Sequence, residues 1–163
     1  MQKLPTIDQL KSLPEADFIH VINTLFETAP PLQKKLIEHK PYSSYIQLIE
    51  KSDEFIKQMN LQDQIAVVNA HPRIGAPAQT LSEQSKKEQG SQVSKEVLER
   101  LAILNKQYED KFGFKFVVFV NGRSRQEIVG VIEQRMHNTK DEELKTGLRD
   151  MILIAKDRLS KLQ

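Results

Sequence analysis

The chain has no cysteine, which excludes disulfides, thiolate zinc sites and cysteine nucleophiles. Aromatic residues are scarce at 6%, and 24 basic against 22 acidic residues leave a net charge of only +2. A nucleic-acid partner would need a basic face with rings to stack, so none is expected. No apolar run approaches the length of a membrane span, so no membrane partner is expected either. The opening Met1-Gln2-Lys3-Leu4-Pro5 leads into polar sequence, which predicts no secretory leader. Ser160-Lys161-Leu162 would be a peroxisomal address at the end of a chain, but Gln163 follows it. No two histidines stand at the i, i+4 spacing of a helical metal site, so no metal is expected. The expectation is one soluble, cytoplasmic domain over residues 1–163, long enough to bury a core.

What is present is helical periodicity. Pro14-Glu15-Ala16-Asp17 opens a helix whose stripe is Phe18, Val21, Ile22, Leu25 and Phe26, with Pro30-Pro31 expected to end it. Leu32, Leu36 and Ile37 form a short second helix, stopped by Lys40-Pro41. Ser43 or Ser44 caps a third, with Ser52-Asp53 a local irregularity, and Leu61 to Ala70 is the fourth. Thr80-Leu81-Ser82-Glu83 reads as a capping box for a fifth, whose stripe resumes at Val97 and runs to Tyr108 before a Gly113 cap. Boxes at Ser124–Glu127 and Thr139–Glu142 open the last two. Phe114 to Val120 alone has strand composition. With no second run to pair with, it is expected to be a buried extended connection. The fold class expected is all-α, a single-domain bundle of about eight helices with no sheet.

The chemistry concentrates between Asn69 and Gln89. Pro72 disfavours helix at the residue before it, so His71 is expected at a helix C-terminus, where a charged imidazole is favoured. Ser85, Glu88 and Gln89 stand at i, i+3 and i+4 and share one helix face. Each has a plainer reading: His71 as a surface cap, and Glu88 beside Lys86 and Lys87 as a solvated face. His20 reads as packed in its helix, and His39 and His137 as helix-end residues.

Four segments together give these residues a context. They are Ala70-His71-Pro72-Arg73-Ile74-Gly75; Ser85-x-x-Glu88-Gln89; Phe112-Gly113-Phe114-Lys115-Phe116 leading to Val120-Asn121-Gly122-Arg123-Ser124; and Arg135-Met136-x-Asn138 with Glu143. In this order they resemble the 2-oxo-4-hydroxy-4-carboxy-5-ureidoimidazoline (OHCU) decarboxylases. Arg73 departs from relatives that carry an acid there. The resemblance implies an all-α, commonly homodimeric carboxy-lyase of urate breakdown. It would need no cofactor and would convert OHCU to (S)-allantoin. It also implies that His71 and Glu88 are catalytic, and that Pro72, Ser85, Lys86, Lys87, Glu88 and Gln89 bind substrate. Phe119, Val120, Asn121, Gly122 and Arg123 would form a further binding segment, Arg123 offering a fork to a carboxylate or ureido carbonyl. His71 and Glu88 should then face each other over a cavity floored by the Val120–Arg123 turn. The rival reading is a helical interaction module without catalysis.

Overall fold

The computed structural model describes residues 4–71 and 95–162. Eight helices and no strand occur among them: α1 Ile7–Lys11, α2 Glu15–Leu25, α3 Pro30–Glu38, α4 Tyr45–Gln58, α5 Leu61–Asn69, α6 Lys95–Phe112, α7 Arg125–Arg135 and α8 Lys140–Leu162. The loop from Ile74, the capping box at Thr80 and the helix face of Ser85, Lys86, Lys87, Glu88 and Gln89 lie outside the described residues, as does Pro72.

Side-chain caps set most of the helix starts. The Ser124–Glu127 and Thr139–Glu142 boxes form as read, each side chain bonding the other residue's backbone N–H. Ser44 caps α4 through the Gln47 amide at 3.0 Å, and Asn60 caps α5 through Asp63 at 2.8 Å. Thr6 and Gln9 form a further box, which opens the short helix α1.

One helix boundary and one expected irregularity differ from the sequence reading. Helix α2 ends at Leu25, where buried Phe26 turns extended, and Pro30 opens α3 instead of closing α2. Proline lacks an N–H, and the first turn of a helix needs none, so the Pro30-Pro31 pair starts a helix as easily as it stops one. Helix α4 runs unbroken through Ser52-Asp53, because the buried Ser52 hydroxyl donates to the Leu48 carbonyl at 2.8 Å.

Helix α8 is the spine. It packs on α2, α4 and α5, while α6 pairs with α7, and α3 closes against α4 and α5. Its stripe of Leu144, Leu148, Met151, Ile152, Ala155 and Leu159 is buried as the spacing predicted.

Residues 114–120 form the expected extended connection, with Phe114, Phe116, Val117 and Val118 buried. Buried backbone groups must find partners. Here side chains replace the neighbouring strand at alternate residues. Asn69 Oδ1 of α5 accepts from Lys115 N at 2.9 Å, Arg135 Nη1 of α7 donates to Val117 O at 2.9 Å, and Asp150 Oδ2 of α8 accepts from Phe119 N at 3.1 Å. Tyr108 of α6 lies against Phe112, Phe114 and Phe116 with ring centroids 4.6, 6.0 and 5.2 Å away.

The Arg135 clamp is itself held by a buried acid. Its Nε donates to Glu143 Oε1 at 2.8 Å, Tyr108 OH donates to the same oxygen at 2.7 Å, and Asn138 Nδ2 donates to Oε2 at 2.7 Å. Glu143 is wholly buried, and neutralising it takes from the buried Arg135 its nearest counter-charge, leaving only Asp150 at 3.6 Å. Glu143→Gln is therefore expected to destabilise the fold by about 3–5 kcal/mol in urea unfolding. A loss below about 1 kcal/mol, the size of a surface pair, would refute this account.

Candidate active site

Helix α5 delivers His71 as the sequence predicts. Ala70 is its C-cap, and the His71 amide still reaches back to Val68 O at 3.2 Å. The imidazole is not a surface cap, since His71 is only 4% exposed. Its Nδ1 lies 3.1 Å from Glu27 Oε2, and its Nε2 is buried without a hydrogen-bond partner among the described residues. Glu27 comes from the link between α2 and α3. Beyond it sits Arg158 of α8, 1% exposed, with Nη1 3.4 Å from Glu27 Oε2 and donating to Leu25 O at 3.1 Å. Lys115 Nζ bonds Asn69 O at 3.0 Å and lies 3.5 Å from His71 O, so the end of α5 is tied to the extended connection.

This corrects the expected charge on His71. Burial pushes its pKa down to about 4; Glu27 raises it, while Arg158 and Lys115 lower it further. The helix-end effect invoked from the sequence is worth at most about 2 kcal/mol and is outweighed by desolvation. A neutral imidazole carries one N–H, and a carboxylate only accepts, so Nδ1–H points to Glu27 and Nε2 keeps its lone pair.

The same shift has a stability consequence. The folded pKa lies below the ordinary 6.5, so the unfolded chain takes up a proton first as pH falls. Stability from this group is complete above pH ~6.5, declines towards pH ~4 and amounts to about 3 kcal/mol. Urea titrations should show that decline in the wild type and not in His71→Asn. Parallel pH curves for the two would contradict it.

Of the other predicted residues, Phe119 to Arg123 are described. Asn121 and Gly122 have φ of 50° and 77°, and Arg123 N donates to Val120 O at 3.0 Å. This is a tight turn for which Asn-Gly is well suited. Arg123 does not hold out the expected fork, because Nη2 donates to Phe119 O at 2.5 Å and Nε to Val120 O at 3.1 Å. The guanidinium staples its own turn. Beside it runs a groove of about 250 Å³ lined by residues that include Phe119, Asn121, Arg123, Arg135, Arg149 and Asp150, and His71 is not in that lining. The partner expected for His71, Glu88, lies outside the described residues; the carboxylate found on the imidazole is Glu27. His20 is exposed, contrary to the packed reading, and His39 lies against Phe55 at the end of α3, the rings tilted by 42° with centroids 4.7 Å apart. No cluster of metal-ligating side chains occurs among the described residues, and none of their helices is long and apolar enough to cross a membrane.

Sequence reasoning missed Glu27 and Arg158. Arg158 stands four residues after Ile154 and seven after Met151, so it continues the buried stripe of α8. A charged residue at stripe spacing was the available sign. Glu27 was hidden by the misplaced end of α2.

Fold and site define an all-α domain that buries a neutral imidazole beside a carboxylate and an arginine, with Nε2 unpaired among the described residues. The chain belongs to the OHCU decarboxylase family, whose profile matches residues 11–160. It is 30% identical over 159 residues to the uric acid degradation bifunctional protein of Bacillus sp. (strain TB-90), covering 96% of this chain and 32% of that protein. It is 27% identical over 161 residues to the 2-oxo-4-hydroxy-4-carboxy-5-ureidoimidazoline decarboxylase of Halalkalicoccus jeotgali, covering 96% and 91%. The chain thus spans about a third of the Bacillus bifunctional protein and nearly all of the Halalkalicoccus decarboxylase. In fold it is similar to an OHCU decarboxylase crystallised in the presence of (S)-allantoin, with a TM-score of 0.69, 24% identity and coverage of 82% of this chain and 91% of that one. An (S)-allantoin synthase gives a TM-score of 0.71 at 19% identity, covering 97% and 54%.

Proposed function

We propose that the chain decarboxylates OHCU to (S)-allantoin in urate breakdown, with His71 moving the proton. The observation that carries this reading is the buried His71 itself, held through Nδ1 by Glu27, with no partner for Nε2 among the described residues. Loss of CO₂ leaves an electron pair, and the substrate's conjugated C=N and C=O can take it. Nε2 accepts the substrate hydroxyl proton as that oxygen becomes a carbonyl. The imidazolium then returns the proton to carbon from one face, which sets the stereocentre. The substrate enters as a carboxylate and leaves as neutral product, so a ring nitrogen takes one more proton from solvent. A positioned acid–base group of this kind contributes about 10²–10⁴-fold.

Pro72, Ser85, Lys86, Lys87, Glu88 and Gln89 are assigned to the substrate by the family pattern, with Glu88 and Gln89 orienting ring and ureido N–H groups. The Phe119–Arg123 turn is assigned as the opposite wall. A homodimer and a cytoplasmic location fit the same pattern, and sedimentation of the purified chain tests the first.

The deciding experiment generates OHCU from urate in situ and follows circular dichroism. Dextrorotatory allantoin forming well above the spontaneous rate is expected. A rate equal to the uncatalysed one would reject the activity and return the chain to the interaction-module reading.

A further inference from the structure

Asp150 is a buried acid that the proposed chemistry does not use. It is 8% exposed, and its Oδ2 accepts the Phe119 amide at 3.1 Å. The same oxygen lies 3.6 Å from Arg135 Nη1, the nitrogen that also donates to Val117 O, and Oδ1 lies 3.7 Å from Arg149 Nε. Arg135 in turn is fixed by Glu143 at 2.8 Å and lies over the Phe116 ring at 4.5 Å. Phe119 is where the extended connection passes into the Asn121-Gly122 turn, and Asp150 and Phe119 both line the groove there. The turn beyond Phe119 is held mainly by its own Arg123. Asp150 therefore ties a self-contained loop to the spine helix at its entry.

We propose that Asp150 is a positioning residue that sets the height of the Phe119–Arg123 loop above the site, and so the affinity for substrate, without touching the reacting atoms. This rests on the assignment of that loop to substrate binding made above. An amide-to-carboxylate bond is charge-assisted and is the tie that joins this amide to α8, so its loss lets the loop drift. Misplacement of a binding element acts first on substrate binding when the proton-transfer group is left in place.

The test compares Asp150→Ala and Asp150→Asn with wild type, reading kcat, KM and amide hydrogen exchange at 119–123. In D150A, KM should rise about tenfold with kcat within about threefold, and exchange at Phe119 should quicken by at least about tenfold, as loss of one charge-assisted bond implies. D150N retains an acceptor oxygen and should fall between, with KM raised about threefold. A merely structural role would lower the melting temperature and the active fraction but leave KM unmoved. D150A with wild-type KM and wild-type protection at Phe119 would overturn the proposal. Should D150A fail to fold, D150N decides by the same two readouts. A wild-type chain that did not turn over OHCU would sink the proposed function; unchanged exchange in both variants would sink Asp150's role alone.

Discussion

His71→Asn should lower the rate of OHCU decarboxylation by about 10²–10⁴-fold, the span of a positioned proton-transfer group. KM should change little, because Nε2 is asked to act on the substrate hydroxyl and carbon and not to hold the ring. The product should also lose its handedness, since residual protonation then comes from water on either face. Stopped-flow circular dichroism on freshly generated substrate reads both quantities. A variant that still delivered one allantoin enantiomer at near wild-type rate would remove the imidazole from the mechanism. Urea unfolding of the variant separates loss of fold from loss of chemistry, since His71 is buried and the substitution also removes its Nδ1 contact with Glu27.

Glu27→Gln is expected to be nearly as damaging. The carboxylate accepts at 3.1 Å and so fixes the proton on Nδ1. A glutamine can present either its oxygen or its NH₂, and the second choice turns the imidazole to the tautomer whose Nε2 already carries a proton. In a serine protease the corresponding Asp→Asn change costs about 10⁴-fold for this reason. We expect a fall in kcat of at least about 10²-fold here, near the lower end of acid–base contributions. The pH profile gives an independent check. Glu27 raises the pKa of His71 while burial, Arg158 and Lys115 lower it. Removing Glu27 must therefore move the acid limb of kcat/KM below its wild-type position near pH 4, not above it. Movement of that limb towards pH 6.5 would show that burial does not control the imidazole. Glu27→Asp keeps the charge with a shorter reach and should lie between the two.

The sequence showed His71 because Pro72 punctuates it, and the helices because caps and stripes repeat with a fixed period. It showed that residues 114–120 would lie buried and unpaired, because strand composition occurs there alone. It did not show what would satisfy that segment. Asn69, Arg135 and Asp150 are brought to it from three helices, and no local pattern announces a side chain acting as a neighbouring strand. The charge of His71 was misjudged for a related reason: a helix-end effect is visible in sequence, whereas the depth of burial that outweighs it is a tertiary quantity. Glu27 lay in a stretch read as helix, and only the fold carries Arg158 to it across more than a hundred residues of chain.

The side-chain clamps on residues 114–120 also bear on how this molecule behaves once it comes apart. Phe-Lys-Phe-Val-Val-Phe-Val is the kind of heptad that stacks into cross-β fibrils, being aromatic, β-branched, free of proline and carrying one charge. In the native state, Asn69, Arg135 and Asp150 occupy hydrogen-bonding positions that another copy would otherwise seek. Heating releases all three clamps together with the helices that carry them. Clouding on thermal melting would accordingly begin at this heptad.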